Sequence, residues 1–215
     1  MKFPIFLAQV GLALGGPNGT AVGAASRNRV NAFMTCQEAD LWCWAAVTQT
    51  VEGVRGTTVA QSDIATDHVS NGQPGTICAT TDPVDANVGC GNPCRGACNS
   101  PHLLSQVLGD RGRLVSKRPG IPAFQDVVDA IDNGKPLPVR IQINTPIGGG
   151  HFICVIGYSD DGAGNQFVEV LDPMIPGVGL GPAGAHNVPF RSFVGGSYTV
   201  SGDPGTPNFI YDVKL

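Results

Sequence analysis

The chain has 215 residues, 42% of them hydrophobic and 14% charged, which describes a globular protein with one sizeable core rather than a disordered chain. A net charge of −4 without any lysine or arginine cluster sets aside a nucleic-acid or membrane-surface partner. Thirty glycines and 17 prolines point to long loops rather than a helical bundle.

The N-terminus, "MKFPIFLAQVGLALGGPNGTAVGAAS", carries one lysine, an apolar run broken by Gln9, and small residues near Ala25. Residues 1–29 are therefore similar to a secretory signal peptide with a cleavage site after Ala24 or Ala25, and read equally as a flexible or strand-forming arm. The run is too short to cross a bilayer as a helix, so no membrane span is expected. "VNAFMT", residues 30–35, alternates enough to predict a short strand leading into Gln37. A helix is expected from about Leu41, where Trp44, Val47, Val51 and Val54 mark one apolar stripe and Gly53 and Gly56 mark its fraying end. A second helix is expected over 59–69. A third lies in "NSPHLLSQVLGDRG", with Ser100 as N-cap and Pro101 at the first helical position. A fourth lies in "PAFQDVVDAIDNG" and stops at Asn133-Gly134.

From residue 136 the texture changes. "PLPVRIQI" alternates with period two, and "HFICVIGYSDDGAGNQFVEVLDP" reads as two strands joined by a hairpin. A glycine-proline loop follows Pro173, and short strands are expected at "SYTVS" and "FIYDVKL". Helices first and an antiparallel sheet second define an α+β fold, with a helical lobe and a sheet lobe in a single domain over 30–215.

Seven cysteines divide into one and six. If Cys43 is kept free for chemistry, Cys36, Cys78, Cys90, Cys94, Cys98 and Cys154 remain, enough for up to three disulfides of undetermined pairing. Four of them crowd into the apolar-poor loop at 78–98, where covalent staples suit a segment that cannot bury itself. None of the spacings reaches the Cys-x-x-Cys knuckle of a zinc site, so no metal and no cofactor is expected, and Cys154 reads also as a buried thiol. Disulfides fit a secreted or periplasmic protein, without excluding a cytoplasmic one.

Cysteine is a nucleophile only as thiolate, and a helix N-terminus favours that form. Cys43 falls in the first turn of the first long helix and needs a base. His68, His102 and His186 have no distinctive setting. His151 follows Gly148-Gly149-Gly150 and opens a strand, and the three glycines remove side-chain bulk where a substrate backbone could come close. Asp172 ends the next strand, so a hairpin puts it at the same end of the sheet as His151, ready to fix the imidazole tautomer. Gln37, with the backbone N–H of Cys43, could supply two donors to an oxyanion.

"CQEADLWCWAAV", "NSPHLLSQVL", "FQDVVDAIDNGKPLPVRI", "GGGHFICVIGY" and "VEVLDP" together resemble the successive motifs of a papain-like cysteine protease. The branch is the bacterial one that holds secreted effector proteases and double-glycine bacteriocin-processing peptidases. The resemblance covers most of residues 30–173. It implies a papain-like fold with the site in a cleft between the lobes and protein or peptide as substrate. It also implies Cys43 as nucleophile, His151 as general base and acid, Asp172 as orienter and Gln37 as oxyanion-hole residue. The chain departs from the plant and lysosomal members in keeping only Cys43-Trp44 of their nucleophile motif and in using aspartate as orienter. The 78–98 loop is similar to a cysteine-rich insert of some bacterial relatives, and no long inhibitory pro-segment is expected ahead of Gln37. A transglutaminase or glutamine deamidase would use the same triad, and a disulfide-rich binding module would keep only the scaffold.

Overall fold

The apolar run "HFICVIGY" becomes the central strand β4 (Gly150–Asp160), buried along most of its length in the computed structural model of the chain. A strand with both faces covered has no polar side to show, which is why this run does not alternate. The structure describes residues 24–70, 78, 98–146, 148–175, 185–200 and 202–215. The signal-like segment to position 23, Cys90 and Cys94 in the cysteine-rich loop, and the glycine-proline loop at 176–184 lie outside the described residues.

Among the described residues the sheet has eight strands. β1 (Ser26–Arg29), β2 (Leu114–Pro119), β3 (Leu137–Ile143), β5 (Gln166–Leu171), β6 (Ala185–Pro189), β7 (Tyr198–Val200) and β8 (Asp203–Val213) join β4. The order is β2-β8-β3-β4-β5-β6, every pairing antiparallel, with β1 on β4 and β7 on β8. β3 pairs with β4 over Gly150–Val155 and β1 over Gly157–Asp160, so the two divide the length of β4 between them.

Among the described residues five helices join the sheet: α1 (Cys43–Val54), α2 (Gln61–Ser70), α3 (Leu104–Asp110), α4 (Phe124–Asp132) and α5 (Phe190–Val194). They do not form one layer. Phe152, Cys154 and Ile156 of β4 pack with Trp42, Trp44, Val47, Ile64, Leu104 and Leu108 from the α1–α3 side. Ile153 and Val155, pointing the other way, pack with Val127 and Ile131 of α4 and Phe193 of α5. The alternation of β4 side chains thus supplies both cores.

Several expected elements move. The stretch 30–35 is not a strand; pairing occurs just before it, at the exposed residues Ser26–Arg29, which bond to the backbone of β4. α3 starts at Leu104, with Leu103 rather than Ser100 at the N-cap. The reason is local: the Ser100 hydroxyl meets His102 Nε2 at 2.9 Å and its carbonyl accepts from Trp44 Nε1 at 3.1 Å, so neither group serves a helix. α1 begins at Cys43 and is buried nearly all round rather than on one stripe; Thr48 and Thr50 bury their hydroxyls by donating to the Trp44 and Ala46 carbonyls. Gly56, at φ 82, lets the chain leave that helix. α4 ends as expected, at Asn133-Gly134 with Gly134 at φ 70, and its first turn is closed by Asp126 accepting from the Ala123 N–H at 2.7 Å.

Candidate active site

Cys43 is the first residue of α1, where a backbone N–H has no acceptor within its own helix, and Trp42 before it offers no side-chain cap. The thiol therefore sits at the positive end of the helix dipole. Cys43 is 9% exposed, while Cys154, the other free thiol among the described residues, is wholly buried and pushed up in pKa by that burial.

His151 is the second residue of β4, and Asp172 follows the last residue of β5. Cys154 stands opposite Leu171 in that ladder; one further step puts Asp172 opposite Ile153 and diagonal to His151, within reach of an imidazole. His151 Nε2 lies 2.7 Å from Asp172 Oδ1, with both side chains buried. Nδ1 is thereby the ring nitrogen left to face Cys43, which is a hydrogen-bond and charge partner of the imidazole. Burial alone would lower the His151 pKa, but the Asp172 charge and hydrogen bond, joined by Cys43, push it up to about 10. Burial would raise Asp172, yet His151 together with donors from the Met174 N–H (2.9 Å) and the Tyr198 hydroxyl (2.8 Å) holds it below the usual carboxylate range. Tyr198 belongs to "SYTVS", whose pattern marked only a strand; nothing in its spacing announced a hydroxyl for Asp172.

Gln37 is buried, and its backbone N–H donates to the Pro173 carbonyl at 3.0 Å, which fastens it beside Asp172. Its side-chain Nε2 donates to the carbonyls of Ala39, at 3.0 Å, and Asp40, leaving Oε1 buried without a partner. The cysteine framework holds the same region. Cys36 is disulfide-bonded, and Cys78 is joined to Cys98. The Cys98 carbonyl accepts from Trp42 Nε1 at 3.0 Å, and Asn99 Oδ1 accepts from the Leu41 N–H at 3.0 Å. With the Trp44–Ser100 bond, this stitches the segment after the disulfide onto the N-terminus of α1.

The three glycines before His151 have separate tasks. Gly148 and Gly149 take φ values of 67° and 129°, a backbone turn that suits glycine, and Gly150 gives way to a guanidinium treated below. His68 and His102, passed over in the sequence, meet at 3.1 Å between Nε2 and Nδ1, and His68 Nδ1 reaches Asp110 at 2.7 Å. Both rings pack on Trp44. His186 lies apart on β6.

Among the described residues no group of histidine, cysteine and carboxylate side chains could hold a metal, and no helix is long and apolar enough to cross a membrane. A search of curated proteins returns no match. The model of the Peptidase_C39 like family matches residues 30–179, a span that contains Gln37, Cys43, His151 and Asp172. A free thiol at a helix start, an imidazole partner and a family match over most of the chain converge: the protein belongs to the Peptidase_C39-like family and is a papain-like cysteine protease.

Proposed function

We propose that the chain is a cysteine endopeptidase that works through Cys43, His151 and Asp172, with Gln37 and the Cys43 backbone N–H as donors to the oxyanion. The observation that supports this best is the 2.7 Å contact between His151 and Asp172, buried and continued by Cys43 on the other side of the ring. On this reading residues 30–215 are one catalytic domain, and the cleft lies between α1 and the end of β4. The Cys78–Cys98 disulfide and the bonded Cys36 favour a secreted or periplasmic setting.

His151 Nδ1 takes the Cys43 proton, and Asp172 stabilises the resulting imidazolium. The thiolate attacks the substrate carbonyl carbon, and the oxygen takes up negative charge facing the N-terminus of α1. To donate there, the Gln37 amide exchanges one of its two loop carbonyls for the substrate oxygen. The tetrahedral species collapses, the C–N bond breaks, and the Nδ1 proton leaves on the amine. Water, deprotonated by His151, then cleaves the thioester and restores the thiol.

Cys43→Ala tests the whole reading. Casein hydrolysis should fall by about 10⁴-fold or more with the circular dichroism spectrum unchanged. A thiol-directed epoxide should label Cys43 and spare Cys154. Hydrolysis by Cys43→Ala near the wild-type rate would overturn the proposal, and ammonia release without new N-termini would reassign the triad to deamidation.

A further inference from the structure

Arg140 lies on β3, opposite Phe152 of β4 and Phe209 of β8. Residues directly opposed across an antiparallel ladder share a face, so Arg140 stands on the face that carries Phe152 and Tyr211, the one against which α1 and Cys43 pack. A register shift in β8 beside Arg140 brings Asn208 onto that face as well.

Its charge is uncompensated. Arg118 is shared by Asp126 and Asp212, and Arg111 and Arg113 both reach Glu52. Arg140 makes no ion pair among the described residues, and its only partners are neutral. Nη1 donates to Gln142 Oε1 and to Asn208 Oδ1, each at 3.0 Å. Nε and Nη2, the edge that takes a carboxylate in two parallel hydrogen bonds, are unengaged. The guanidinium lies over Gly150, so close that a Cβ built there would stand 2.5 Å from both Cζ and Nε. Any side chain at position 150 would collide with the guanidinium, so glycine is what lets it lie there. Gly150 immediately precedes His151, whose side chain, opposite Ile141, leaves the other face of β4. A second cation on the same face, Lys117, sits 4.2 Å from the centre of the Phe209 ring.

A half-buried arginine braced by two neutral acceptors, with no acceptor on Nε or Nη2 among the described residues and on the face of the sheet that α1 and Cys43 cover, has the form of a receptor for an anion. We infer that Arg140 is a substrate-binding residue that selects a carboxylate close to the scissile bond, either an Asp or Glu side chain or a free C-terminus. The inference rests on the proposed peptidase site and adds the chemistry of its substrate.

The test uses the full chain and a tryptic or lysyl digest of a bacterial proteome as a peptide library. Products of wild-type cleavage should be enriched in Asp, Glu or a free C-terminus within about three residues of the cut, roughly the reach of an arginine at an extended peptide. One cleaved sequence is then made in four forms: with the acid or its amide isostere, and with a free or amidated C-terminus. The preferred acid form should exceed its neutral counterpart by about tenfold in kcat/KM, the size of a charge-assisted hydrogen-bond pair. Which of the two neutral substitutions removes the preference identifies the carboxylate. Arg140→Gln should bring the ratio to about one, Arg140→Lys should keep part of it, and Gly150→Ala should reduce it by displacing the fork. A brace between Gln142 and Asn208 would behave differently: Arg140→Gln would slow both peptides equally and leave the ratio unchanged, which overturns the inference. So does a wild-type enzyme indifferent to the acid. If Cys43 is labelled by the epoxide and neutral peptides are cleaved, that failure leaves the peptidase reading standing. If nothing is cleaved, both fall.

Discussion

Two histidine–aspartate pairs in this protein have the same 2.7 Å contact and opposite circumstances. In the His151–Asp172 pair both side chains are sealed, at 3% and 0% exposure; in the His68–Asp110 pair the carboxylate is 62% exposed. Asp172 has two further donors in the Tyr198 hydroxyl and the Met174 N–H, and its imidazole faces a thiol. His68 instead turns its other nitrogen to His102, which is held below its ordinary pKa by burial and then by the neighbouring His68. One pair holds its hydrogen bond in a dry site beside a free thiol. The other shares a hydrogen bond at a wet surface and braces Trp44. Distance alone does not separate them; burial and what lies beyond the ring do.

Replacing the two aspartates should separate the pairs most sharply. Asp172→Ala leaves a buried imidazolium or an unsatisfied ring and should cost about 3–5 kcal/mol of stability, whereas Asp110→Ala should cost about 0–1 kcal/mol. Chemical denaturation of both variants measures the contrast, and equal losses would break it.

Titration gives the next effect. A raised His151 pKa contributes stability that is complete below its ordinary value of 6.5 and is lost as pH rises toward about 10. A lowered Asp172 pKa contributes stability that is present above its ordinary value of 3.8 and is lost as pH falls through the lowered one. The stability difference between wild type and Asp172→Asn should therefore be largest from about pH 4 to 6.5 and shrink toward pH 10. A difference that is flat with pH would mean the pair is neutral.

Tyr198→Phe is the mildest change. It removes one of the donors to a buried carboxylate and should lower stability by about 1–2 kcal/mol. Thermal unfolding checks this, and an unchanged melting temperature would show that Tyr198 does not support Asp172.

The residues of the candidate site were more legible in the sequence than the fold around them. Gln37, Cys43, His151 and Asp172 stand out because chemistry restricts residue type: a thiol at a helix start, a histidine after glycines, an Asp-Pro closing a strand. The structure gathers Cys43, His151 and Asp172 and ties the Gln37 backbone to Pro173. What escaped was set by backbone pairing or by distant partners. β1 is four exposed residues with no apolar pattern, recruited by the free length of β4. β8 begins at Asp203, ahead of the expected "FIYDVKL", and runs through Pro204 and Pro207, two residues that argue against a strand; Pro207 lies at the register shift beside Arg140. β2 and β6 show no clean alternation because apolar Val115, Ala185 and Pro189 stand at exposed positions while His186 takes a partly buried one. The α3 start was misplaced because Ser100 was engaged from outside, by Trp44 and by the ring of His102.

His151 and Asp172 are 21 residues apart on one hairpin, whereas Cys43 arrives on a helix from the far end of the described chain. The hairpin can close early, since short loops cost little entropy, but the thiol joins only when α1 docks on the sheet. On the proposed mechanism, a nascent chain therefore holds an acid–base pair with nothing to activate. A peptidase wired in this order is inert while its own unfolded segments are most vulnerable to cutting, and becomes competent only when those segments are already packed away.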